Sequence, residues 1–237
     1  MNKKEMLGIF QNPGNAYRGK PFWSWNGELD EKELIRQVGV MREMGFGGFF
    51  MHSRSGLITE YLGDEWFRLI NAVADEGARQ GMEVWLYDED RWPSGSAGGK
   101  ATEDVRYRMK SVYVYERAAA PYISGETELP ECDYMFAARL GADGYTMSDY
   151  IQFKPGEAAA DVFARLTGEG EDKLLEMRIQ PDEPSSNYNG NTYLDTMNVE
   201  AVDKFIELTH EQYLKRCGKR LGSVISGIFT DEPHRGQ

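Results

Sequence analysis

The sequence predicts an α/β chain whose parallel strands and helices are interrupted once by a β-rich stretch. Three observations predict it. Short apolar runs alternate with helical-period segments over the first ~100 residues. From about residue 108 to 180 the apolar pattern changes to a period of two. A helical segment and one more apolar run then restore the first rhythm before Gln237.

Phe22-Trp23-Ser24-Trp25 reads as a short aromatic strand. Asp30 starts a helix, with Glu33 three residues on completing a capping box. Leu34, Val38, Met41 and, with slight drift, Met44 line one helical face, and Gly45 is a natural stop. Phe49-Phe50-Met51 is a continuous apolar run, the pattern of a strand buried on both sides. A second helix starts near Asp64, has Phe67, Ile70, Val73, Ala74 and Gly77 as its inner stripe, and ends at Gly81. Val84-Trp85-Leu86-Tyr87 is the third strand, and the order strand–helix–strand–helix–strand requires parallel pairing with crossovers.

The next stretch alternates by two at Val112 and Val114, Phe136 and Ala138, Val162 and Ala164, and Leu175 and Met177. Turn residues separate the runs, which predicts a small antiparallel insertion of about five strands. Residues 181–191 are rich in Pro, Ser, Asn and Gly and read as a loop. One long helix is predicted over 199–217, capped by Asn198, burying Val202, Phe205, Ile206, Thr209 and Tyr213, and closed by Gly218 and Gly222. Residues 224–229 form the fourth strand of the parallel series. The predicted organisation is strands one to three with their helices over 1–107, the β-rich insertion over 108–183, and a linker, helix and strand four over 184–237. The expected fold class is therefore α/β, the first half (strands one to four) of a (β/α)8 TIM-type barrel with a small antiparallel β insertion after strand three. Such a half leaves two edge strands and one sheet face open. It is expected to be a fragment that self-associates or pairs with a missing C-terminal half-barrel.

Composition narrows the chemistry. The chain has 237 residues, 41% of them hydrophobic, enough to bury a core as one domain or two. Five Trp, 13 Tyr and 11 Phe offer faces on which sugar rings stack, although most aromatics of a globular chain are core. The net charge of -12, with no Lys/Arg cluster, repels phosphate backbones and argues against a nucleic-acid partner. Cys132 and Cys217 lack CxxC spacing, so neither a zinc site nor a disulfide framework is expected. No apolar run approaches the ~20 residues of a membrane span. Residues 1–10 lack the apolar region of a signal peptide, and a cytoplasmic location is expected.

Unusual polar residues follow each of the four parallel strands: Asn26; then His52, Ser53 and Arg54; then Asp88, Glu89, Asp90, Arg91 and Trp92; then Asp231, Glu232, Pro233 and His234. In (β/α) barrels the active site gathers at the C-terminal ends of the strands, so four segments are expected to converge on one mouth. Glycoside hydrolysis needs paired carboxylates, one to protonate the leaving oxygen and one as base or nucleophile. A carboxylate at such a mouth is partly desolvated, a condition that favours holding a proton. Glu232 is the expected general acid. Asp231 orients it, binds a sugar hydroxyl or holds a metal. Asp182-Glu183-Pro184 repeats the same tripeptide inside a polar loop, where it reads as a turn.

Asp88, Glu89 and Asp90 place three acids beside Arg91, whose charge keeps them ionised, and beside Trp92, a stacking face. The small residues 93–99 then make a flexible loop without the spacing of a phosphate loop. His52 and Arg54 are read as sugar-hydroxyl contacts. Trp23, Trp25 and Asn26 are placed at the pocket floor, the two tryptophans being equally suited to core. Asp195, between the loop and the last helix, is a further substrate-binding candidate.

Together, Pro21-Phe22-Trp23-Ser24-Trp25-Asn26, Phe49-Phe50-Met51-His52-Ser53-Arg54-Ser55-Gly56-Leu57, Tyr87-Asp88-Glu89-Asp90-Arg91-Trp92-Pro93-Ser94-Gly95 and Phe229-Thr230-Asp231-Glu232-Pro233 resemble the N-terminal catalytic region of glycoside hydrolase family 106, known for α-L-rhamnosidases. The resemblance runs from about Lys20 to the C-terminus and is least specific in the β-rich stretch. It implies a barrel hydrolase that acts by inversion on a carbohydrate, often with calcium at the sugar site. Many barrel glycosidases have Asn-Glu-Pro at the acid/base strand end, and here Asp231 replaces that Asn. Family members are far longer, so the second catalytic carboxylate is expected outside this chain. Two other readings stand beside this one. One is a metal-dependent hydrolase using His52, Asp88, Glu89 and Asp231, against which no His-x-His or His-Glu-x-x-His motif is present. The other is a non-catalytic carbohydrate-binding or assembly module.

Overall fold

The structure is a computed structural model that describes residues 2–235. In chain order its principal elements are α1 (Lys3–Gln11), β1 (Phe22–Gly27), α2 (Glu31–Glu43), β2 (Gly48–Leu57), α3 (Asp64–Arg79), β3 (Glu83–Tyr87), β4 (Lys110–Ala118), α4 (Ala120–Ile123), β5 (Tyr134–Leu140), β6 (Met147–Gln152), α5 (Ala159–Phe163), β7 (Glu171–Pro181), α6 (Val199–Leu208), α7 (His210–Cys217) and β8 (Ile225–Phe229). They divide into two compact units, one of Met1–Met109 with Glu183–Gln237, the other of Lys110–Asp182. Among the described residues no helix is long and apolar enough to cross a membrane.

The first unit is built on a four-stranded sheet in the order β1-β2-β3-β8, with every pair parallel. Alternation along the strands gives it two faces. On one face Trp25, Phe49, Met51, Val84, Leu86 and Ile225 pack against Leu34, Val38 and Met41 of α2, the apolar stripe of α3, and Tyr213 and Cys217 of α7. Each large apolar side chain fully buried there contributes about 1.5–3 kcal/mol. Gly77 sits on the α3 stripe for a steric reason: a Cβ there would come within 2.5 Å of Val84 and 3.1 Å of Phe49. The other face carries Phe22, Phe50, Trp85 and Phe229, whose rings touch one another at centroid distances of 4.9 to 5.7 Å. Phe22 remains 50% exposed.

The second unit is an antiparallel sheet in the order β4-β7-β5-β6. Ala119, Ala137, Val162, Phe163, Leu166 and Leu174 form its core.

Several local expectations are corrected. The second unit has four strands, not five, because Val162 belongs to α5 and Ala164 caps it. A three-residue alternation does not separate a strand from one helical turn. Asp30 accepts the Glu33 N–H, but the Glu33 carboxylate turns to Arg36 and Gln37, so only half of the capping box forms. Met44 is exposed at the C-cap of α2. The single helix expected over 199–217 is two, broken at Thr209, whose buried hydroxyl donates to the Phe205 carbonyl at 2.6 Å. α1 was not anticipated. It is capped by Asn2 and buries none of its residues.

Candidate functional site

Because the four strands run parallel, their C-terminal ends lie along one edge of the sheet. β1 and β2 are longer than their apolar runs, so Asn26, His52, Ser53 and Arg54 lie on strands rather than after them. Asp88 to Trp92 follow β3 and Asp231 follows β8, as expected.

β3 and β8 are joined beyond their last paired residues. The Asp88 N–H donates to the Phe229 carbonyl at 3.2 Å. The Asp88 carboxylate is buried and accepts the Ser94 and Thr230 hydroxyls, each at 2.6 Å, with His210 Nε2 3.3 Å away. Burial pushes the Asp88 carboxyl up, against the hydrogen bonds from Ser94 and Thr230 and the nearby His210 charge. Its neighbour Glu89 is 0% exposed. It accepts the backbone N–H groups of Asp90, Gly95, Ser96, Ala97 and Gly98. The small residues make this possible: Gly95, Ala97 and Gly98 adopt positive φ, which turns successive N–H groups inward as an anion-binding nest. Burial pushes Glu89 up to about 7, opposed by these backbone donors. The loop expected to be flexible is thus mostly buried and tied to an internal carboxylate.

Asp90 accepts the Ser53 hydroxyl at 2.7 Å and the Asn189 amide at 3.0 Å, and pairs with Arg91 at 3.3 Å. Arg91 also donates to Asn189 Oδ1 and the Ser186 carbonyl, so its guanidinium ties the 186–189 turn to the cluster.

Two acids face outward. Asp231 is half-buried, and its carboxylate accepts the Tyr87 hydroxyl at 2.9 Å. Burial and the Asp231 charge both push the Tyr87 phenol up, so it stays a donor. Glu232 is exposed, and its carboxylate accepts the Trp92 indole N–H at 3.2 Å. Partial desolvation of Glu232 was expected, but the four strands do not supply it, because the sheet face they present is open. Glu232 has φ 44°, a left-handed conformation that costs a non-glycine residue roughly 1–3 kcal/mol. His52 is buried on the same sheet face as Phe22 and Tyr87, stacked on Tyr87 at 3.7 Å. Burial, then the nearby Arg54 charge, pull its imidazole down, and its Nδ1 has no hydrogen-bond partner among the described residues.

The sequence-derived site therefore splits. Asn26, Arg54, Trp92 and Glu232 are exposed, and Asp231 is half-exposed. Four of the substrate-binding candidates sit in enclosed or locally bonded positions. Trp25 is 1% exposed and packs with Trp23 and Trp66 in the helix-side core. Asp88 and Glu89 are enclosed, with their oxygens committed to protein donors. Asp195 makes a local turn, accepting the Met197 N–H, while its neighbour Thr196 donates to the His234 carbonyl. Sequence reasoning missed Tyr87, Ser94, Tyr193, Thr230 and His210. Tyr87 and Thr230 lay beside singled-out acids and Ser94 in the loop that follows one, whereas nothing local marked Tyr193 or His210.

Comparisons with known proteins add little. No protein-family model matches the chain, and no curated protein matches it. Among solved structures it is similar to a rhamnosidase from Novosphingobium sp. PP1Y, with TM-score 0.37 and 20% identity over 46% of this chain. The chain spans 11% of that protein's length.

Proposed function

We propose that the chain carries one side of a glycoside hydrolase active site, of the family 106 α-L-rhamnosidase type that its motifs resemble, built on the first half of a (β/α)8 barrel. One observation carries this reading. At the C-terminal edge of the parallel sheet Glu232 presents an exposed carboxylate, tethered by the Trp92 indole, while Asp88, Glu89 and Asp90 are turned inward to protein donors. Glu232 serves as general acid to the leaving oxygen. Asp231, held by Tyr87, sets the local charge beside it. Asn26, Arg54 and Trp92 contact sugar hydroxyls and a ring face. A second carboxylate, contributed from outside these four strands, activates water at the ~6.5–9.5 Å separation of an inverting pair. The aromatic sheet face is the half of a barrel interior that further strands cover.

Calcium, which the resemblance implies, has no fitting donor set here. Among the described residues there is no group of three or more His, Cys, Asp or Glu placed to hold a metal ion. The same placement disfavours a metal-dependent hydrolase built on His52, Asp88, Glu89 and Asp231.

The test is turnover of a panel of 4-nitrophenyl glycosides, α-L-rhamnopyranoside included, by the full-length protein. Wild type is expected to release nitrophenolate, and Glu232→Gln to lose at least ~100-fold in kcat on the glycoside it uses. Equal rates would overturn the assignment. Sugar binding that survives Glu232→Gln, with no hydrolysis by wild type, would establish a binding module instead.

A further inference from the structure

Glu232 does not hold its left-handed backbone unaided. Pro233 disfavours the right-handed helical alternative for the residue before it, but the strain persists only where the surroundings over-determine it. Two buried residues supply that constraint, one from the loop after β3 and one from the segment before α6. The Ser94 N–H donates to the Asp231 carbonyl at 2.9 Å, and the Ser94 hydroxyl accepts the Asp231 N–H at 2.9 Å while donating to Asp88. Beyond Glu232, the Tyr193 hydroxyl accepts the His234 N–H at 3.2 Å, and the Tyr193 ring stacks on the His234 imidazole at 4.3 Å and 9°. The clamp is closed on itself, because the Tyr193 hydroxyl donates to the Ser94 carbonyl at 2.7 Å. Residues 231 and 234 are thus fastened to one scaffold, and Glu232-Pro233 must bridge the short gap between them.

We propose that Ser94 and Tyr193 are positioning residues that hold Glu232 in its left-handed conformation and so aim its carboxylate at the leaving oxygen. This rests on reading Glu232 as the acid. Ser94 is 0% exposed and Tyr193 1%, and both hydroxyls are spent on protein partners, so they act through the backbone and not on substrate.

The experiment compares Ser94→Ala and Tyr193→Phe with wild type in the full-length protein. The second variant keeps the ring on His234 and removes only the hydroxyl, so it serves if the first does not fold. Each is assayed on two glycosides of the same sugar, one with an alkyl leaving group and one with 2,4-dinitrophenolate. An aimed acid matters to the first and hardly to the second, which departs without a proton. The expected result is a kcat loss of about 10- to 100-fold on the alkyl glycoside, unchanged KM, and a change within about two-fold on the activated one. Equal losses on both substrates mean fewer folded molecules and overturn the proposal, as does full activity on both. If wild type cleaves no glycoside, the functional reading fails and the clamp is judged by crystal structures of the variants. A shift of Glu232 out of the left-handed region then supports the clamp, and retention of it in both variants overturns it.

Discussion

Asp-Glu-Pro occurs twice, at residues 182–184 and 231–233, and the two copies share the same burial, a half-buried Asp followed by an exposed Glu and Pro. Their surroundings differ. Asp182 directly follows β7 and accepts one hydroxyl, from Ser111 on the paired strand. Asp231 is held at its carboxylate by Tyr87 and at both backbone groups by Ser94, and Glu232 is bent to positive φ beside Trp92. Identical local chemistry thus becomes a strand exit in one place and a left-handed turn tethered by Trp92 in the other. The difference lies in partners recruited from 137 to 144 residues away in sequence.

The contrast can be broken most directly by neutralising the two glutamates. Glu232→Gln is expected to lose at least ~100-fold in kcat, and Glu183→Gln to stay within about two-fold. Comparable losses would mean the tertiary setting does not select between the copies. Next in size is stability. Glu89→Gln places an amide N–H2 against backbone donors of the loop and is expected to cost about 2–3 kcal/mol in urea unfolding at pH 8. Asp182→Asn, with one hydroxyl partner, should cost under ~1 kcal/mol. Tyr87→Phe leaves Asp231 without its donor and should lower kcat by roughly 10-fold, the equivalent of one charge-assisted hydrogen bond. Ser111→Ala, the matching deletion beside Asp182, should leave turnover unchanged.

The buried acid also sets a pH slope. Burial raises Glu89 from 4.5 to about 7 in the folded chain. Folding therefore takes up a proton between those values, and this group's contribution to stability is full below pH 4.5 and lost as pH rises through about 7. The stability gap between wild type and Glu89→Gln should be wider at pH 5 than at pH 8 by about 1 kcal/mol or more. A flat gap would show that the five backbone donors keep Glu89 ionised throughout.

Much of the first unit was legible in the sequence. The runs at Phe49-Phe50-Met51 and Val84-Trp85-Leu86-Tyr87 form paired parallel strands, and the α3 stripe that includes Gly77 lies against them. Asn198 caps α6 through the Glu200 N–H as read. These features depend on residues within a few positions of one another, which a linear pattern displays. The break at Thr209 was not legible, because a Thr hydroxyl competing for a carbonyl one turn back looks like any buried helical residue. Trp25 was ambiguous for a similar reason: an aromatic on a parallel strand suits either sheet face until the helices are placed.

By itself the sequence determined which segments alternate as strands and helices and which acids stand at strand ends, since periodicity and capping are short-range. Only the tertiary structure decided which of those acids are enclosed and which face outward. Asp88 and Glu89 lie within four residues of the exposed Trp92 in sequence, yet the hydroxyls and N–H groups of residues 94 to 98 and Thr230 draw them inward. Glu232 is left outward because its neighbours, not its own carboxylate, satisfy the buried donors and acceptors around it. A charge is buried only where donors converge on it, and that convergence comes from segments far apart in the chain.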